Sequence, residues 1–232
     1  MHHSIDQLMR SLPKVRSVRV LQLFTIYTRY LIGGAFVMAA FNMGKLSGPW
    51  TPGFSAEQLE FIARMGGEVR PIGELDPFLQ FWRVMATSGL YWKFIGASQV
   101  LAGMLLMTQR FAKVGAAVFF GIILNIFVVT VAYSFQGTPV ITGLMLLAAT
   151  YLLIWDLDSF QPLFRSHQRV LAVVPASGWI TSPFWIWLGA VMLAVIVAEW
   201  LLRINFLIQL ATSFTIGFLG LLLFMTVVRR KE

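Results

Sequence analysis

Six long apolar runs limit what this 232-residue chain can fold into. A helix needs about 20 apolar residues to span a bilayer. Runs close to that length cover 20–43, 90–107, 114–132, 139–155, 183–202 and 206–228. The residues are 58% hydrophobic and 12% charged, against roughly 45–50% and 25% in soluble domains. Mean hydropathy is +0.76. The expected fold is therefore an all-α integral membrane protein with six spans, built on an antiparallel four-helix bundle plus two further C-terminal spans. Short connections at 108–113 and 133–138 make the second, third and fourth spans antiparallel neighbours.

Lysine and arginine set the orientation. Arg10, Lys14, Arg16, Arg19, Arg110, Lys113, Arg165, Arg169 and the Arg229-Arg230-Lys231 end fall on one side. The other side carries Lys45, Arg64, Arg70, Arg83, Lys93 and Arg203, diluted by Glu57, Glu60, Glu68, Glu74 and Asp76. The positive-inside rule then predicts a multi-pass protein with both termini in the cytoplasm. Topology and anionic membrane lipid account for the formal charge of +8, so no nucleic-acid partner is implied. The first apolar run is too long for the core of a cleaved signal and reads as a retained anchor.

Residues 1–19 read as a basic amphipathic segment, with Ile5, Leu8, Leu12 and Val15 at helical spacing. A polar insert at 46–89 separates the first two spans. Within it Ser55 and Gln58 form a capping box for a helix ending near Gly66-Gly67. Asp76 followed by Pro77 starts a second helix, with Phe78, Phe81, Trp82 and Met85 on one face. That helix is expected in the outer interface or as a lid over the bundle. The bundle region runs over 20–160, a cytoplasmic linker over 161–182, and a C-terminal hairpin over 183–232.

Several chemistries are excluded by residue type. There are no cysteines, hence no disulfide, thiolate metal site or CxxC redox pair. His2, His3 and His167 all lie outside the apolar runs, which removes a buried bis-histidine haem. No metal site and no nucleotide loop is expected.

The polar residues inside the spans are few. Arg29 shares a face with Gly33, Phe36 and Ala40; Gln99 with Gly96 and Gly103; Asn125 with Ala117 and Gly121. Small residues mark close helix packing and polar residues cross-link membrane helices. The three stripes are accordingly expected to converge, with Tyr30 and Thr142 adding to one intramembrane pocket. Counting at 1.5 Å per residue puts Arg29 and Gln99 both on the order of 12–13 Å from the inner ends of their spans, so that they can meet. A guanidinium in hydrocarbon is costly and normally faces a bundle interior or a wet cavity. Asp156 is the nearest candidate counterion, with Asp158 beside it. Three readings stay open for Arg29: a structural pairing with lipid phosphate or Asp156, neutralisation by an anionic or carbonyl-bearing ligand, or a place on a permeation path. Glu199 and Arg203 are spaced as an i, i+4 ion pair.

Residues 27–156 resemble the DoxX-like family of small bacterial membrane proteins. TRYLIGG at 28–34 followed by NMGKL at 42–46 is close to the family's first helix. GLYWKFIGASQ at 89–99, GMLLMTQRF at 103–111, GAA at 115–117 and NIF at 125–127 follow in the family's order. The resemblance implies a four-helix bundle and maps Arg29, Lys45, Gln99, Arg110 and Asn125 onto the motifs. It further implies a membrane subunit of, or an accessory to, a quinone-linked redox system with a redox partner protein. The long insert and the extra span pair depart from that pattern. Three functions are compatible with these residues. One is a quinone-linked oxidoreductase subunit with Arg29 and Gln99 donating to a quinone oxygen. Another is a transporter for an anion or small solute. The third is a non-catalytic scaffold or assembly factor.

Overall fold

A computed structural model describes residues 15–47, 50, 52–53, 60, 63, 77–135, 137–164 and 178–228. Every regular element among them is helical. In chain order they are α1 (Arg19–Asn42), α2 (Pro77–Ala86), α3 (Leu90–Met107), α4 (Ala112–Ala132), α5 (Thr138–Trp155), α6 (Leu157–Phe164), a 3-10 turn (Trp179–Thr181), α7 (Pro183–Leu201) and α8 (Phe206–Leu223). A π-helical turn, Phe224–Val228, extends α8. Six of these helices are long and apolar enough to cross a membrane, which makes the chain a multi-pass membrane protein.

Local sequence explains the helix starts. Pro139 and Pro183 sit in the first turns of α5 and α7, where a missing N–H leaves nothing unpaired. Asn205 caps α8 by accepting a hydrogen bond from the Leu207 amide at 2.8 Å. Of the helix predicted around 55–65 only residues 60 and 63 are described, and the amphipathic segment before Val15 lies outside the described residues.

The organising element is α1. Two thirds of its apolar window (67%) is buried, against 39% or less in every other span. One of its faces, carrying Ile32 and Phe36, packs with Ala102, Leu106, Ala116, Phe119, Ile123, Ala149 and Leu152 of α3, α4 and α5. The opposite face, carrying Ile26, Tyr30, Val37 and Met38, packs with Trp185, Leu188, Met192, Ile196 and Phe224 of the C-terminal helices. The last helix pair therefore shares a core with α1 and does not stand apart beyond the 161–182 linker.

Two glycine contacts fix the packing. A Cβ on Gly103 would lie 2.5 Å from the Gly33 carbonyl oxygen, so α1 and α3 touch backbone to backbone at that level. At Gly189 a Cβ would come within 2.1 Å of the Met107 carbonyl oxygen, which seats α7 on the end of α3. Across the opposite end of the bundle, α2 turns Phe78 onto Phe135, Phe81 onto Tyr133 and Trp82 towards Trp92.

Candidate functional site

The polar side chains gather into two separate nodes, not one pocket. The first lies where α1 begins and α3 and α5 end. Arg29, only 5% exposed, donates from Nη2 to Asp156 Oδ2 at 2.9 Å and from Nη1 to Gln109 Oε1 at 3.0 Å. Asp156 terminates α5, while Gln109 sits in a left-handed turn (φ 57°) just past α3. Beside this pair, Arg16 grips Asp158 through two bonds of 2.6 Å and also reaches the Trp155 carbonyl. Burial alone would raise the Asp158 carboxyl, but bonding to Arg16 and the nearby positive charges of Arg16 and Lys113 hold it below the usual carboxylate range.

The second node is Lys45 with Gln99. Lys45 follows α1, yet the chain folds back so that it is only 5% exposed. Its Nζ donates to Gln99 Oε1 at 2.6 Å and stands 5.1 Å from the centre of the Trp92 ring. Gly96 makes this possible, since a Cβ there would come within 2.6 Å of Lys45 Cβ. Desolvation lowers the Lys45 ammonium from the ordinary lysine range to about 8.

Arg29 and Gln99 do not meet. The Gly33–Gly103 contact sets the antiparallel register of α1 and α3, so Arg29 lies level with the end of α3 while Gln99 lies one turn to the other side. That leaves the two side chains about 11–12 Å apart along the axis, two turns of 5.4 Å. Ile32, Phe36, Ala102, Leu106 and Phe119, all buried and apolar, fill the layer between the nodes.

The other expected site residues are dispersed. Asn125 is exposed on the outer face of α4, together with Ala117 and Gly121. The packed face of α4 is instead Ala112, Gly115, Ala116, Phe119 and Ile123, one residue round the helix from the expected stripe. Thr142 is buried near the start of α5, 3.0 Å from Thr130, at the end remote from Arg29. Tyr30 is buried and donates to the Trp185 carbonyl, with Gln109 and Arg29 close by. Arg110 is exposed next to Gln109 and lies 5.8 Å from the Phe111 ring. Glu199 and Arg203 form no salt bridge, because α7 ends at Leu201 and Arg203 turns away with φ 55°.

Two cavities border these residues. One, of about 280 Å³, opens at the Arg29 node and is lined by Arg16, Arg29, Gln109, Arg110, Lys113, Asp156 and Asp158 among others. The second is a groove of about 560 Å³ between α1, α7 and α8. Its walls are mainly apolar (Leu31, Gly34, Ala35, Met38, Met192, Ile196, Phe206, Leu210 and Phe214), with Tyr27, Asn42, Arg203, Asn205 and Ser213 as polar points. The Tyr27 hydroxyl donates to the Gly217 carbonyl at 2.8 Å, and Asn42 donates to Gln209 at 2.9 Å. The Ser213 hydroxyl is buried and has no hydrogen-bond partner among the described residues. Among the described residues no cluster of His, Cys, Asp and Glu has the makings of a metal site.

Over 105 residues the chain is 33% identical to the Bacillus subtilis (strain 168) protein called "Uncharacterized protein YwoB". The alignment takes in 44% of this chain and 67% of YwoB. The chain belongs to the YwoB family. No family model matches it, and no solved structure does. In this member of the YwoB family, sequence reasoning passed over Gln109 and Ser213 and left Arg16 only as a topology charge. The one signal for Gln109 is its place directly after a span, where a helix end turns side chains back over the bundle mouth. Ser213 carries no such mark, being one of several hydroxyls on an apolar helix.

Proposed function

We propose that the chain is a bacterial inner-membrane protein with both termini in the cytoplasm, a DoxX-like bundle extended by a C-terminal helix pair. In this reading it serves as the membrane subunit of, or accessory to, a quinone-linked redox system. The groove between α1, α7 and α8 is the observation that carries the proposal. A lipophilic cofactor needs a concave, mainly apolar slot of roughly 300–1,000 Å³ with a few fixed polar groups, and the groove of about 560 Å³ has both. Ser213 lines the groove and among the described residues its hydroxyl has no hydrogen-bond partner, so a modest turn of the side chain offers it to a quinone carbonyl oxygen. A donor fixed in advance also stabilises the negative charge that grows on that oxygen during reduction.

The quinone site is thus relocated from Arg29 and Gln99: Arg29 donates to Asp156 and Gln109, while Gln99 accepts from Lys45 in a separate node. With no cysteine anywhere and histidine only at positions 2, 3 and 167, electrons must come from a partner protein while the quinone supplies the redox chemistry. A photoreactive quinone analogue added to membranes should label peptides covering 27–43 and 203–217. Labelling confined to other segments, or none above background, would count against the proposal.

The scaffold reading has one observation of its own: the Arg29 charge is already answered by Asp156 at 2.9 Å, as a purely structural residue would be. A transport path is less well supported, because the layer of Ile32, Phe36, Ala102, Leu106 and Phe119 separates the two polar nodes. Partner capture by a Ser213→Ala variant that still assembles but binds quinone more weakly would separate cofactor binding from scaffolding.

A further inference from the structure

The groove leaves unexplained the second cavity, at the end of the bundle where α1 begins. We infer that this cavity of about 280 Å³ is a binding site for a phosphate group. Its charged lining is Arg16, Arg29, Arg110 and Lys113 against Asp156 and Asp158, an excess of two positive charges after both carboxylates are paired.

The hydrogen-bond inventory points the same way. Arg29 spends one N–H of Nη1 on Gln109 and one of Nη2 on Asp156. Arg16 spends one N–H of Nη1 on Asp158 and both of Nη2 on Asp158 and the Trp155 carbonyl. A guanidinium carries two N–H groups on each Nη, so among the described residues Arg29 Nη1, Arg29 Nη2 and Arg16 Nη1 each keep a second donor, and both residues line the cavity wall. Phosphate supplies several acceptor oxygens together with negative charge, and guanidinium groups match it well. Arg110 and Lys113, both exposed, stand at the mouth to draw the anion in. The side chains that hold the carboxylates remain in place, so the phosphate adds to the node without displacing Asp156.

Free phosphate and a phospholipid headgroup present the same chemistry, and two measurements on the purified full chain distinguish them. One is thermal stability in detergent with inorganic phosphate against chloride at equal ionic strength. The other is native mass spectrometry after exchange into nanodiscs of phosphatidylglycerol mixed with phosphatidylcholine. Stabilisation by inorganic phosphate identifies a soluble ligand. Retention of phosphatidylglycerol in excess of its share of the bilayer, without a phosphate response, identifies a lipid headgroup. Either result supports the site. The double variant Arg110→Gln, Lys113→Gln changes only exposed side chains and is expected to weaken binding about tenfold in whichever arm responds. Asp158→Asn removes a negative charge from the wall and is expected to tighten binding severalfold, an effect that a merely damaged fold does not give. The site is refuted by no response in either arm, or by binding that neither variant alters.

Discussion

Removing Asp156 tests how the Arg29 charge is accommodated. Asp156→Ala leaves a guanidinium that is 5% exposed with one neutral partner, Gln109 at 3.0 Å. Breaking a buried ion pair from one side typically costs about 3–5 kcal/mol, since the surviving charge stays desolvated. The Gln109 bond and the adjoining cavity of about 280 Å³ offset part of that, so the expected loss is at the lower end, about 3 kcal/mol. Asp156→Asn keeps the shape and is expected to lose about half as much. Replacing both partners, as Arg29→Met with Asp156→Leu, removes the charges together and is expected to fall within about 1 kcal/mol of the parent. Arg29→Met and Asp156→Leu alone each leave one buried charge unpaired, so the double variant is expected to be clearly more stable than the sum of those two losses. Unfolding in mixed micelles with a graded denaturing detergent, followed by far-ultraviolet circular dichroism, measures each protein. If Asp156→Ala costs less than about 1 kcal/mol, Arg29 is not held by this carboxylate and the node described above is wrong.

Further perturbations address separate parts of the structure. Gly103→Leu places a Cβ 2.5 Å from the Gly33 carbonyl oxygen, and the same unfolding assay should show a loss of at least about 1–3 kcal/mol from overpacking. Lys45, depressed to about 8 by burial, binds its proton less tightly in the folded protein than in the unfolded chain. Stability should therefore rise as pH goes from about 8 towards 10, by about 1 kcal/mol per unit. Lys45→Met should flatten that rise, and a pH dependence left unchanged in this variant would remove Lys45 as its source. Ser213→Ala should weaken binding of a quinone analogue by about 0.5–1.5 kcal/mol, the usual worth of one neutral hydrogen bond, read by competition against the photoreactive probe.

The six spans were legible because apolar length is a composition signal, and the helix bounds fall within a residue or two of the runs. Which face each helix turns inward was harder to read. Lipid tails and protein cores are equally apolar, so in the membrane only small and polar residues betray an inner face. On α4 two rows of small residues lie side by side: Gly115 and Ala116 are packed, whereas Ala117 and Gly121 are exposed. The Ala117–Gly121–Asn125 row looked equally eligible in sequence. The Arg29–Gln99 pairing failed for a different reason. Measuring depth from the ends of apolar runs assumes that those ends are level, and the Gly33–Gly103 contact shows a different register. Lys45 entered as an outer-segment charge and, through the family resemblance, as a motif residue, but nothing local announces that the chain after α1 folds back onto Gly96. The groove could not be read at all, being formed by three helices from distant parts of the chain.

The central claim, a quinone held between α1, α7 and α8, is tested most directly by the quinone content of purified protein. A Cβ on Gly34 meets only Ile196 at 3.8 Å, an ordinary contact, so Gly34→Leu fills the groove without forcing the backbone. Extraction and mass spectrometry should find quinone near one per chain in the parent protein and about tenfold less in Gly34→Leu at equal folded yield. Equal quinone in both proteins, or none in the parent, would contradict the account.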